Sequence, residues 1–223
     1  MNGNDGASRY TPGAHRPAMV AVAAVLAGVL LLAMGTTFAV RSRPAPDVGT
    51  GAVQRLTTSG APMPVPSATA PPAVVPPARL GIPAIGVDAR VVAVGVDPRT
   101  GEFAVPATVN VVGWYRFGPG LEAVAGSAVI AGHVDSAEQG RGALLRLREL
   151  APKARIDVTG ADGRTRTYHV IARAEYDKAR VPLEQAFARD GAPRLTLITC
   201  GGPFDDRTRR YRDNVLVTAL RVS

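Results

Sequence analysis

Cysteine is almost missing from the 223-residue chain, and Cys200 stands alone. This excludes an intramolecular disulfide framework and any structural zinc site built mainly on thiolates, so any role for Cys200 is solitary. Histidine is nearly as scarce, with His15, His133 and His169 the whole supply. Aromatic residues make up 5%, and no basic run interleaves with them. The net charge of +8 is therefore not the footprint of a nucleic-acid binder. From residue 79 onward 21 basic and 16 acidic residues are interspersed, which is the pattern of a solvated surface. Phosphate and metal motifs are missing as well: there is no P-loop, no Rossmann glycine fingerprint, no His-Glu-x-x-His and no Gly-x-Ser-x-Gly. Asp205, Asp206 and Asp213 match no calcium loop and read as turn formers. No metal and no cofactor is expected.

What the chain does contain is strongly segregated. After a short tail, residues 1–17, the stretch Ala18–Val40 runs 23 residues without a charge. As a helix it would measure about 35 Å, enough to cross a bilayer core. It exceeds the apolar stretch of a secretory signal and lacks a small-x-small cleavage pattern, so we read residues 18–40 as an uncleaved transmembrane signal anchor. Arg9 and Arg16 balance Arg41 and Arg43 across it, and the positive-inside rule does not settle the orientation. Residues 41–78 show no hydrophobic periodicity and carry prolines at 44, 46, 62, 64, 66, 71, 72, 76 and 77, the composition of a disordered, extended linker. A stalk behind an anchor implies an exported domain, hence a single-pass protein of the cell membrane with its large C-terminal domain extracytoplasmic.

Residues 79–223 are β-rich. Candidate strands are Arg79–Ile85, Val87–Val96, Gly126–Gly132, Arg155–Gly160, Thr165–Ala172, Arg194–Cys200 and Asn214–Val222, punctuated by Gly, Pro, Asn and Asp. A hairpin is expected around Ala161-Asp162-Gly163. Two short helices are expected, Gly142–Leu150 with Leu144, Leu147 and Leu150 on one face, and Pro182–Arg189. Many short strands with few helices predict an all-β barrel or sandwich.

Cys200 closes the apolar run Leu195–Thr199 and precedes Gly201-Gly202-Pro203, where a turn is expected. A thiol held at a strand end beside a loop poor in side chains is fixed yet approachable, as a nucleophile must be. Its proton partner should titrate near neutrality. His15 precedes the span, and His169 alternates with Tyr168 and Val170 and so faces solvent. His133 follows the apolar run Ser127–Gly132 and is the candidate. An oxyanion formed on a substrate carbonyl calls for a fixed cation, and Arg207, Arg209, Arg210 and Arg212 all precede the final strand. Strand parity does not choose among them.

Three fragments, Leu197-Ile198-Thr199-Cys200, Ala131-Gly132-His133-Val134-Asp135-Ser136 and Tyr211-Arg212-Asp213-Asn214-Val215, resemble the nucleophile, histidine and arginine segments of sortases, most closely the class F sortases of actinobacteria. Gly113-Trp114-Tyr115 and Arg79–Ala84 fit the same family. The resemblance implies an eight-stranded sortase-type β-barrel over residues 79–223, and a cysteine transpeptidase that cleaves an LPXTG-like sorting signal through a thioacyl-enzyme. It implies Cys200 as nucleophile, His133 as the acid for the leaving amine and Arg212 as the oxyanion and substrate ligand. Its partners would be surface proteins carrying a C-terminal sorting signal and an amine of a cell-wall precursor. The turn Arg173–Pro193 would hold the substrate pocket. Two other readings use the same residues differently: a thiol hydrolase with the same Cys-His pair, and a non-catalytic barrel that binds wall polymer.

Overall fold

Alternation of apolar with polar residues gives each strand one face to bury, and the strands satisfy it by closing on themselves. The computed structural model describes residues 46–58 and 74–222. The expected membrane span and much of the expected linker lie outside the described residues, among which no helix is long and apolar enough to cross a membrane. In chain order the strands are β1 (Pro77–Ile82), β2 (Val87–Val94), β3 (Val111–Tyr115), β4 (Ser127–Ala131), β5 (Asp135–Ser136), β6 (Gly140–Arg141), β7 (Arg155–Gly160), β8 (Thr165–Asp177), β9 (Arg194–Asp205) and β10 (Arg210–Arg221). Eight of them form a closed barrel in the order β1-β2-β3-β4-β9-β10-β8-β7, while β5 and β6 make a small separate hairpin. Two neighbouring pairs, β2 with β3 and β4 with β9, run parallel. The core is the barrel interior, where Leu80, Ile82, Ile130, Ile156, Leu195 and Leu197 lose all solvent contact.

The all-β barrel expected from the sequence is present, with local differences. Strand β3 is absent from the sequence reading because Gly113 interrupts a short run. The glycine is there for packing, since a Cβ on it would lie 2.8 Å from a Val94 methyl of the parallel neighbour. Gly142–Leu150 is not an α-helix: Leu147 N–H donates to Leu144 and Leu150 N–H to Leu147, a 3₁₀ pattern in which a spacing of three stacks all three leucines on the core. The second helix contracts to Leu183–Ala186. Beside it Phe187 packs edge-on against Tyr115, ring centroids 5.3 Å apart.

Residues read as linker also take part in the fold. Prolines are absent from residues 47–61, and Thr50–Thr58 forms a helix, α1, which makes the helix Leu183–Ala186 α2. Ahead of α1, Val48 and Arg173 of β8 exchange backbone hydrogen bonds, both 2.8 Å. The Arg173 guanidinium donates to the Pro46 carbonyl at 2.6 Å, and Asp47 accepts from the Glu175 amide at 2.9 Å. Gly49 lies so close that a Cβ would sit 1.9 Å from the Ile171 carbonyl oxygen. The segment 46–58 is thus bonded to the barrel wall, and the linker reading does not hold for it.

Candidate active site

β9 lies between β4, parallel to it, and β10, antiparallel, and that placement gathers the candidate residues. The β4–β9 register pairs Ala131 with Ile198. It continues one step further, because Gly132 N–H donates to the Ile198 carbonyl at 3.1 Å and the Thr199 hydroxyl donates to the Gly132 carbonyl at 2.8 Å. The same register places His133, just past the end of β4, level with Cys200 on β9. Both are half-buried. On the other side Asn214 of β10 pairs with Cys200.

The arginine that shares this face follows from register. Between Tyr211 and Asp213 the β9–β10 pairing shifts by one residue. The extra residue lies on β9, where Gly202 takes a left-handed φ of 71°. β10 keeps its alternation: Val215 and Val217 point into the core, so Arg212 falls on the outward face with Asn214 beside Cys200. Arg210 pairs with Asp205 beyond the bulge, and Arg207 and Arg209 lie in the hairpin turn. The chain accordingly does not turn at Gly201-Gly202-Pro203. Glycine admits a bulge there, and β9 runs on to Asp205.

Hydrogen bonds set the state of each group. The His133 Nε2 stands 2.9 Å from the Pro106 carbonyl oxygen. A carbonyl only accepts, so Nε2 carries the proton and Nδ1 is the nitrogen left to exchange one. Arg212 donates to Asp213 through Nε at 3.0 Å and Nη2 at 3.3 Å. That hydrogen bond, with the charge of Asp213, raises the guanidinium pKa further. Its remaining N–H groups extend from a side chain 63% exposed. Tyr211, the residue before it, donates to Asp135 at 2.5 Å. This bond foremost, followed by burial and the negative charges of Asp135 and Cys200, pushes the Tyr211 phenol up to about 12.

A cavity of about 110 Å³ opens beside Cys200, lined among others by Val134, Leu145, Arg148, Gly201 and Tyr211. Arg148 and Tyr211 had no place among the candidates read from the sequence. Arg148 belongs to the Leu147–Glu149 turn, where the only visible signal was the leucine spacing. The turn expected to hold the pocket contributes nothing to this cavity: Pro182, Gln185 and Ala186 line a different one, against Thr50 and Val53 of α1. His169 is exposed, as its parity predicts. Among the described residues no group of three or more His, Cys, Asp or Glu comes together as a metal site.

A search of curated protein sequences finds no match. Among solved structures the chain is similar to sortase C1 from Streptococcus suis, with TM-score 0.51 and 17% identity over 66% of this chain and 73% of that one. It is likewise similar to a pilus-related sortase C of Group B Streptococcus, with TM-score 0.51 and 14% identity over 66% and 68%. At these identities the likeness establishes the fold. The sortase domain family model matches residues 80–222, from the first barrel strand through the last and across every segment just placed around Cys200. A match over that span means that the chain belongs to the sortase family, the cysteine transpeptidases.

Proposed function

We propose that this sortase is of class F, anchored in the cell membrane by residues 18–40 with its barrel outside, and that it joins surface proteins bearing an LPXTG-like C-terminal signal to an amine of a cell-wall precursor. The observation that supports the site assignment is the strand register: Cys200 on β9 level with His133 just past its parallel neighbour β4, and Arg212 on the outward face of the strand beyond. The cavity at Cys200 is too small for a peptide of several residues, so the signal runs along the open surface and presents only its reacting residue.

In the first half-reaction the Cys200 thiol passes its proton to His133 Nδ1 as Sγ attacks the scissile carbonyl carbon, and the oxyanion that forms is met by the unengaged N–H groups of Arg212. The C–N bond then breaks as protonated His133 delivers a proton from Nδ1 to the leaving amine, and a thioester remains on Cys200. The acceptor amine attacks that thioester, gives its proton to His133 and expels the Cys200 sulfur. Detergent-solubilised full-length protein incubated with a sorting-signal peptide should show, by mass spectrometry, an acyl adduct on Cys200. Cys200→Ala should show none, and a glycine peptide should turn the adduct into ligated product. Peptide cleavage that persists in Cys200→Ala would refute the assignment, and release to water alone would make the protein a thiol hydrolase.

A further inference from the structure

His133 lies at the root of a hairpin, and what holds that hairpin in place bears on the reaction proposed above. Beyond Gly132, the Leu144 amide donates to the His133 carbonyl at 3.2 Å, and the side-chain bonds of Gln139 and His133 face the β2–β3 connection. Gln139 accepts from the Val109 amide at 3.2 Å and donates to the Ala107 carbonyl at 3.0 Å. The His133 ring bonds Pro106. Within the hairpin Asp135 pairs with Arg141, and the Gly142 amide donates to Val134 at 2.9 Å. These bonds tie it to the β2–β3 connection, to Leu144 or to itself. The bond toward the Arg212 strand comes from Tyr211, whose hydroxyl reaches Asp135 across 76 positions of sequence at 2.5 Å. The Tyr211 ring is itself braced by Phe204, edge-on with centroids 5.1 Å apart. A hydrogen bond to a carboxylate at this distance belongs to the strong, charge-assisted kind.

We infer that Tyr211 and Asp135 form a strap that ties the His133 hairpin to the Arg212 strand, making both positioning residues that hold the imidazole and the guanidinium over one cleft. The role rests on the transpeptidase reading, but the strap itself does not. Tyr211, paired with Phe204 and next to Arg212, lines the Cys200 cavity together with Val134. Losing the strap removes the side-chain bond between the hairpin and the Arg212 strand. Displacements of about 1 Å in a catalytic group cost up to about a hundredfold in rate.

The test uses the full chain with Tyr211→Phe, Asp135→Ala, the double variant and Asp135→Asn. Amide hydrogen exchange over residues 133–142 should quicken by about tenfold in Tyr211→Phe and Asp135→Ala, with β7 unchanged. In Cys200 acylation by a sorting-signal peptide, each should lower kcat about tenfold with KM within about threefold, and the double variant should lose no more than either single one. Asp135→Asn keeps an acceptor and should lose less. Unchanged hairpin exchange overturns the strap. Losses that multiply in the double variant, or that fall on KM alone, overturn the positioning role. If Tyr211→Phe melts at the assay temperature, Asp135→Ala and Asp135→Asn decide. A wild type that forms no adduct sinks the transpeptidase reading and the positioning role with it, while hairpin exchange still decides whether the strap exists.

Discussion

The two ends of β10 are built on opposite principles. At the far end the Arg166 side chain, 3% exposed, donates to Asp162 at 2.6 Å and to Glu122 at 2.7 Å, and Arg221 adds a second cation to Glu122 at 2.9 Å. Arg166, Arg221, Asp162 and Glu122 there form one paired cluster. The Arg166 hydrogen bond holds the Asp162 carboxyl well below the usual carboxylate range. At the near end Arg212 donates to its neighbour Asp213, and among the described residues the buried Glu175 Oε1 has no hydrogen-bond partner. At the far end the buried arginine is paired with two carboxylates, whereas the near end holds a buried carboxylate oxygen without a hydrogen bond. Under the proposed mechanism the exposed Arg212 is the group a substrate would engage, whereas the buried Glu175 oxygen bears on stability.

Substitutions at the two ends should therefore separate activity from stability. The largest effect is expected from Arg212→Ala: kcat/KM for peptide acylation should fall about a hundredfold, with Tm within about 2 °C of wild type. Arg212→Lys should recover little, because a point charge does not reproduce the guanidinium fork. A loss under about threefold would remove Arg212 from the mechanism. Arg166→Met should do the reverse, lowering the unfolding free energy by about 2 kcal/mol in urea titrations while kcat stays put. Because Asp162 is depressed in the folded state, its contribution is present above its unfolded pKa and lost as pH falls through the folded value. Acid unfolding should accordingly be less steep in Arg166→Met.

Gly202→Ala sharpens the contrast within the near end. At φ 71° its Cβ would sit 2.0 Å from an Asp213 carboxylate oxygen, so Asp213 and with it Arg212 must shift. We expect kcat to fall about tenfold and Tm by about 3 °C. Glu175→Gln should have the smallest effect. Burial first, then the charge of Asp213, raises the Glu175 carboxyl, so stability held below its unfolded pKa is lost as pH rises through the folded value. A neutral glutamine escapes this loss, and Tm should rise by about 2 °C at pH 7 and not at pH 4. A rise at both values would mean that charge is not the cause.

What the sequence disclosed was what depends on short stretches. β7 has the bounds that alternation predicts, Arg155–Gly160, and Asp162-Gly163 turn the hairpin after it, with Gly163 at φ 75°. His133 and Cys200 stood out because each follows an apolar run that glycine borders. Hidden were the features that depend on partners far along the chain. Parity did not separate Arg210 from Arg212, because the bulge that sets their register lies on β9. A second bulge, between Thr218 and Ala219, reverses which face of β8 points inward and brings Arg173 and Glu175 to the interior side. Tyr211 and Asp135 meet only because the barrel closes. The helix α1 was masked by prolines on both sides, although residues 47–61 themselves contain none.

The docking of Pro46–Thr58 also changes where a mechanical load would enter the molecule. Tension transmitted from residues upstream of Pro46 reaches the barrel through Val48 and Arg173 on β8, and not at β1, where the barrel begins in sequence. Arg173 belongs to a strand that pairs with β10 from Tyr168 to Asp177 and with β7 only over Thr165–His169, so the force passes chiefly into the β8–β10 ladder of hydrogen bonds. A protease cut within residues 59–73 would then leave both halves of the chain in one complex, since the residues on either side of it, Pro46–Thr58 and β1, are each bonded to the same barrel.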